Sequence, residues 1–364
     1  MILDKLTLIN FKNFESFELD PAKKFNCFIG SNGVGKTNLL DAIYYLSFSK
    51  SFLQGNDKQH IKHGEDFFML NGRFTHEEQT EDIACTVKHG QTKIFKRNGK
   101  EYDKLSQHIG LIPLVYTAPL DINIVQNGSD IRRRFIDTVI SQFNKDYLRN
   151  IISYQRALEQ RNQLLKQFNG RSQKDESALE VWDMQLVTYG NEIFKHRLAF
   201  ATDITPIFNK YYQLVSQERE ELSLNYKSQV MLDTIENLLL KTRSKDIIMQ
   251  YTSTGIHKDD LEFMLGDHLL RKYGSQGQQK TFVLALKLAQ FEYIQQKTQR
   301  KPILLLDDIF DKLDASRVEA IIKIVSSDDF GQVFITDTNY ERTANLLEKA
   351  SNQSKLITLD KQSV

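Results

Sequence analysis

The stretch FNCFIGSNGVGKTNLL occupies residues 25–40, and its reading decides the fold. Gly30 is followed five positions later by Gly35, then by Lys36 and Thr37. The apolar run before Gly30 has the length of a buried strand, and the run after Thr37 predicts a helix with Leu39, Leu40, Ile43, Tyr44 and Leu46 on one broad face. Strand, glycine-rich turn and helix N-terminus in that order make a phosphate-binding loop. Its glycines let backbone N–H groups turn inward, and the helix end adds positive potential. In this reading Gly30, Ser31, Asn32, Gly33, Val34, Gly35, Lys36, Thr37 and Asn38 wrap the phosphates of ATP. Lys36 reaches the β- and γ-phosphates, and the Thr37 hydroxyl holds Mg²⁺.

Such a loop needs an acid from a second strand. KPILLLDDIFDKLD (301–314) supplies it: Ile303–Leu306 is continuously apolar, as in a strand covered on both faces, and it ends in Asp307 and Asp308. Asp307 is the expected second Mg²⁺ residue, and Asp308 is placed to polarise the attacking water. Lys36 and Asp307 stand about 270 positions apart, where one βαβ unit needs roughly 30 residues. Something is therefore inserted. From Ile131 the apolar period becomes helical, through Phe135, Val139, Phe143 and Tyr147 and on to Leu165. A second run from Leu179 to Phe200 follows the polar break FNGRSQKDESA, which predicts an antiparallel helical hairpin. The expected organisation is a head made of residues 1–120 and 218–364, with a helical arm at 121–217 between them.

Composition sets the class. With 40% hydrophobic and 26% charged residues, the chain reads as soluble and globular, and no apolar run is long enough to span a bilayer. The N-terminus lacks a signal-peptide pattern, and Cys27 and Cys85 both sit in strand-like runs, so a cytoplasmic protein with reduced thiols is expected. The net charge of +1 does not by itself point to nucleic acid. Local clusters do: Lys145, Arg149, Arg156, Arg161, Lys166, Arg171 and Lys174 face only Asp146 and Glu159 over 145–174. Lys145, Arg149 and Arg156 share one helix face, and Lys93, Lys96, Arg97 and Lys100 form a second basic segment. These faces suit sequence-independent contact with DNA phosphates.

One polar stretch remains, YGSQGQQKTF (273–282), which opens into an apolar helical pattern. Serine, glycine and glutamine at a helix N-terminus form an anion site without a lysine. Together with the phosphate loop and LDDIFDKLD (306–314), it resembles the signature loop of the ABC-type ATPases, in their SMC-like branch. Five segments in order narrow the likeness to the RecF family: LTLINFKNF (6–14), IRRRFID (131–137), TGIHKDDL (254–261), SQGQQ (275–279) and LLLDD (304–308).

The resemblance implies an α/β fold: an ABC-type, SMC-like P-loop ATPase head split by an inserted α-helical arm. It implies that Ser275, Gly277 and Gln278 cap the γ-phosphate of an ATP held by another copy, so that a homodimer forms on ATP binding and Ser275 acts catalytically across it. Asp314 matches the D-loop aspartate, and Lys12 and Asn13 match positions near the adenine. Aspartate at 308, where transporters and SMC heads carry glutamate, suggests slow hydrolysis, and the resemblance implies a weak, DNA-stimulated ATPase. Asp337 stands where transporters have a switch histidine, and neither it nor His257 receives a catalytic role. YTAPLDI (116–122) has Leu120 where an acid is usual. The family's function would be DNA repair, replication and the SOS response: binding double-stranded DNA at gap junctions, with RecR and RecO as partners and RecA loading as the outcome. A transporter ATPase subunit is disfavoured by the long arm, the arginine triplet and the missing switch histidine. An SMC-like structural or nuclease-coupled head would need a longer arm or a further domain, while a phage-defence ATPase sharing only the head remains open.

Overall fold

The computed structural model describes residues 1–53, 55–168, 177–216, 222–309, 315–341, 343–344 and 353–360. In chain order the elements are β1 (Ile2–Phe11), β2 (Phe14–Leu19), β3 (Phe25–Ile29), α1 (Lys36–Phe48), β4 (Phe67–His76), β5 (Gln79–Lys88), β6 (Ile94–Arg97), β7 (Lys100–Glu101) and β8 (Leu114–Thr117). Then come α2 (Asn123–Gln126), α3 (Ser129–Ser141), α4 (Lys145–Gln167), α5 (Ser177–Ser216), β9 (Leu222–Lys227), α6 (Ile235–Met249), β10 (Asp260–Leu265), β11 (His268–Leu269) and α7 (Leu270–Tyr273). The last are α8 (Gln276–Thr298), β12 (Ile303–Leu306), α9 (Ala315–Ser326), β13 (Val333–Asp337) and β14 (Ser354–Thr358).

The chain divides into two compact units. The first holds Met1–Asp121, Leu214–Gln217 and Leu284–Val364, and the second holds Ile122–Gln213 and Glu218–Val283. The boundary expected at 217/218 thus falls at 283/284. The reason is packing. β9, β10 and β11 bond one another as a three-stranded sheet, and β10 lies against α3, whose Arg132 pairs with Asp260. That segment therefore belongs with the arm.

The first unit contains two sheets. One is antiparallel, in the order β2-β1-β4-β5-β6-β7; the other is all parallel, in the order β14-β3-β13-β12-β8. Helix α1 packs against strands of both sheets, so it is buried nearly all round rather than along one face. A helix apolar on every side is what such an interlayer position requires. Each fully buried leucine or isoleucine, such as Leu39, Leu40 and Ile43, contributes about 1.5–3 kcal/mol. The parallel register sets Ile29 opposite Asp337 and Leu306 opposite both Ile335 and Thr117. The C-terminal ends of these strands therefore meet along one edge, where open α/β sheets place their ligands.

In the second unit the first expected helix is two. Asn144 interrupts the run at 142–144 and caps α4, its side-chain oxygen accepting from the Tyr147 N–H at 2.9 Å. Helices α4 and α5 then run antiparallel. Tyr147 meets Arg197, Tyr154 lies beside Gly190, Arg161 pairs with Asp183, and Leu165 clusters with Leu179. The first three contacts advance seven residues on one helix as they retreat seven on the other, the spacing of a coiled-coil seam.

Candidate functional site

The loop between β3 and α1 is braced from β1's turn. Asn13 donates from Nδ2 to the Val34 carbonyl at 3.2 Å, and its Oδ1 accepts from Asn38 Nδ2 at 2.6 Å. Gly35 has φ 106°, and a Cβ there would lie 2.4 Å from Asn13 Nδ2. Both the backbone angle and the close approach demand glycine. The buried Lys36 ammonium donates to the carbonyls of Gly30 (2.8 Å) and Ser31 (3.1 Å), inside the curl of the loop. The Nζ of Lys12, a residue expected near an adenine, lies 2.6 Å from Asp41 Oδ2. Asp41 is fully buried in α1 and also accepts from Ser51 Oγ and the Phe52 N–H. Lys12 thus completes an anchor for the chain leaving α1.

Asp307 sits at the end of β12, where the sequence expects it. Its Oδ1 accepts from Thr37 Oγ1 at 3.0 Å and from Thr336 Oγ1 at 2.7 Å, and its Oδ2 accepts from the Tyr116 hydroxyl at 2.9 Å. Burial first, and the Asp307 carboxylate second, push the Tyr116 phenol well above its ordinary range, so it remains a donor. Asp308 follows in a left-handed conformation, φ 51°, and its N–H donates to Thr336 Oγ1 at 2.8 Å. Thr336 therefore ties the two acids together. Aspartate is among the few residues that adopt this backbone readily. Hydroxyl and carboxylate oxygens side by side at Thr37 and Asp307 are the hard donors that Mg²⁺ takes alongside phosphates. The residues fit that ion.

At the N-terminus of α8 in the second unit, Ser275 and Gln278 cap each other. Ser275 Oγ accepts from the Gln278 N–H at 3.2 Å, and Gln278 Oε1 accepts from the Ser275 N–H at 2.6 Å. As an acceptor there, the serine hydroxyl keeps its own proton to offer. Gly277 lies in the first turn. Asp314 falls outside the described residues.

The basic residues divide sharply. Lys145, Arg149 and Arg156 are exposed on α4, with Arg149 paired to Asp146 within the same turn. Arg161 does not join them: it is fully buried, with Nε 2.6 Å from Asp183 and Nη1 2.8 Å from Asp246. Its place on the seam with α5 takes it off the solvent face. Lys93 is half-buried and donates to Asp57 and to the Ser49 carbonyl, each at 2.7 Å. Arg97 is engaged by Glu81. Of the expected strand residues, Lys96, partly buried, and Lys100, exposed, have no described side-chain bond to hold them. Arg171 and Lys174 lie outside the described residues.

Other singled-out residues have structural partners. Asp337 is buried and accepts from the N–H groups of Thr338 and Asn339 and from Thr343 Oγ1, closing the turn after β13. His257 bonds the Tyr154 hydroxyl at 2.9 Å and the Thr252 carbonyl at 3.0 Å, and burial holds its pKa down at about 4. Within the arginine triplet, Arg132 binds Asp260, Arg133 donates to Ser129 and the Asp259 carbonyl, and exposed Arg134 pairs with Asp130. Sequence reading missed Tyr116 and Thr336. The one available signal was that each is the next-to-last residue of a buried strand neighbouring β12.

A glycine-rich loop on a parallel sheet, an acid at the end of the strand two places along that sheet and a serine-capped helix define an ABC-type P-loop ATPase head of the SMC-like kind. Residues 2–363 match the family described as RecF/RecN/SMC N terminal domain. The chain is 49% identical over 364 residues to a DNA replication and repair protein RecF of Parabacteroides distasonis, covering 100% of this chain and 99% of that one. It is 46% identical over 359 residues to the protein of the same description from Flavobacterium johnsoniae, covering 99% and 100%. The chain belongs to the RecF family. Among solved structures it is similar to the recombination mediator protein RecF-ATP in the RecFOR pathway, with TM-score 0.85 and 30% identity over 93% of this chain and 92% of that one. An Smc head bound to the C-winged helix domain of ScpA shares the fold, at TM-score 0.60 and 15% identity over 100% and 96%.

Proposed function

We propose that this protein is an ATP-binding DNA repair and replication protein of the RecFOR pathway, which dimerises on ATP and binds double-stranded DNA beside single-stranded gaps. The observation that carries the reading is the 3.0 Å contact between Thr37 and Asp307. It joins the phosphate loop to the acid of a strand 270 positions away, which only a nucleotide site explains well. The family name and the likeness to ATP-bound RecF support the same reading.

The residues divide the work. The N–H groups from Gly30 to Asn38 and the Lys36 ammonium bind the phosphates. Thr37 and Asp307 would hold Mg²⁺, which when bound neutralises charge on the β- and γ-phosphates. Asp308 orients and polarises a water molecule, accepting its proton; a side chain one methylene shorter than glutamate reaches less well, which suits slow turnover. Ser275, Gly277 and Gln278 of one copy bind the γ-phosphate held by the other. Two identical sites then close together, and the closed state exists only while the γ-phosphate bridges them. The exposed Lys145, Arg149 and Arg156 contact DNA phosphates without reading bases. RecR and RecO are the protein partners in this reading. RecA loading on the gap is the outcome, DNA stimulates the weak ATPase, and hydrolysis times release.

Sedimentation velocity with ATP, ADP or no nucleotide, with and without a gapped duplex, tests it. A dimer with ATP alone is expected. Ser275→Arg should bind ATP like the wild type and stay monomeric. A wild-type monomer under every condition defeats the dimer mechanism.

A further inference from the structure

We propose that Tyr116 is a positioning residue for the Mg²⁺ carboxylate, fixing the plane of the Asp307 carboxylate so that one oxygen faces Thr37; the inference rests on the ATP reading above. The two carboxylate oxygens are treated differently. Oδ1 takes both threonine hydroxyls, whereas Oδ2 is bonded by the Tyr116 phenol at 2.9 Å. An aspartate carboxylate turns easily about its last bond, because that torsion is broad. The phenol bonded to one oxygen holds the carboxylate plane, so the other oxygen stays directed at Thr37.

Tyr116 can hold an oxygen in place because it is itself held at both ends. Its ring is buried against Phe52, with centroids 4.1 Å apart, and edge-on to Tyr44 at 5.8 Å. Its backbone lies in β8, opposite Leu305 of β12. Its carbonyl accepts from the buried Lys287 ammonium at 2.9 Å. Lys287 also pairs with Asp121 Oδ1 at 2.9 Å, and Asp121 Oδ2 accepts from the Ala118 N–H at 2.8 Å. The end of β8 is thus pinned by a buried ion pair whose charges are both satisfied. A side chain fixed this firmly serves as a reference point for a ligand beside it.

The prediction is a split between nucleotide affinity with and without the ion. Tyr116→Phe removes one oxygen and keeps the ring. A fluorescent ATP analogue would be titrated onto wild type and variant in EDTA and over a range of Mg²⁺, with melting of the ligand-free proteins recorded alongside. Loss of a partner that orients a metal ligand typically weakens metal affinity 10–100-fold. The variant should therefore bind the analogue like wild type in EDTA and need at least about tenfold more Mg²⁺ for half-maximal enhancement. Incorporating 3-fluorotyrosine at 116 restores an O–H donor and should restore the wild-type Mg²⁺ requirement. An unchanged Mg²⁺ requirement in Tyr116→Phe overturns the inference, as does equal weakening with and without the ion, which marks a purely structural role. A wild type that binds no analogue under any condition sinks the ATP reading itself, a result distinct from either.

Discussion

Arg132 and Asp260 form a two-point ion pair across 128 positions of chain, with Nε 2.6 Å from Oδ1 and Nη2 3.0 Å from Oδ2. The same guanidinium donates to the carbonyls of Ile124 and Asn127 and lies over the Phe263 ring. Two of the segments that mark the family, IRRRFID and TGIHKDDL, are thus two halves of one contact. The arginine triplet serves the second unit's own architecture: α3 is fastened to the strand and turn at 259–260.

Arg132→Lys keeps the charge and loses the fork. It should lower unfolding stability by about 2 kcal/mol, because a lysine cannot satisfy both oxygens and both carbonyls. Arg132→Ala should cost about 3–5 kcal/mol, as breaking a buried pair does. Urea midpoints of the single variants and of the double variant with Asp260→Asn test this. Additive effects would show that the two residues are not coupled.

Arg161 sits in the middle of the α4–α5 seam with Asp183 and Asp246 on either side. Arg161→Met should destabilise the protein by about 3–5 kcal/mol, since it leaves buried carboxylate charge uncompensated. Adding Asp246→Asn should recover part of that. Duplex DNA affinity of whatever fraction remains folded should not change, because the guanidinium has no exposed surface.

The exposed α4 residues should behave oppositely. Arg149→Glu with Arg156→Glu should leave the thermal midpoint nearly unchanged and weaken duplex binding. The slope of log affinity against log salt should become shallower by about 2, one phosphate contact for each arginine. Fluorescence anisotropy from 50 to 200 mM salt reads it. Lys93→Gln is the contrast: it should cost stability through Asp57 and the Ser49 carbonyl while leaving the salt slope as it was.

His257 makes stability pH-dependent. Its folded pKa is about 4, against 6.5 for the free side chain, so the unfolded chain binds more protons between those values. Its contribution is complete above about pH 6.5 and declines as pH falls toward 4, by up to about 3 kcal/mol. Denaturation midpoints should drop from pH 7.5 to pH 5, and His257→Gln should flatten that drop. Parallel pH profiles in both proteins would assign the dependence to other groups.

The ATPase head was legible in the sequence because its parts are local patterns. A phosphate loop is a run of eight residues whose glycines and lysine act through neighbouring backbone, and a strand ending in acids or a serine before a helix is equally short. The wide spacing between Lys36 and Asp307 even revealed the insertion. Tertiary structure alone decided what each charge does. Lys12 turns to Asp41, 29 positions on; Lys93 to Asp57, 36 back; Arg161 to Asp246, 85 on; and Tyr116 to Asp307, 191 on. An ionisable side chain looks the same in sequence whether it faces solvent or a buried partner. The difference lies in desolvation, which depends on every element that packs around it and is written at no single position. The same holds for the unit boundary at 283/284: strand pairing and the Arg132–Asp260 contact draw residues 218–283 to the arm, and both are long-range facts.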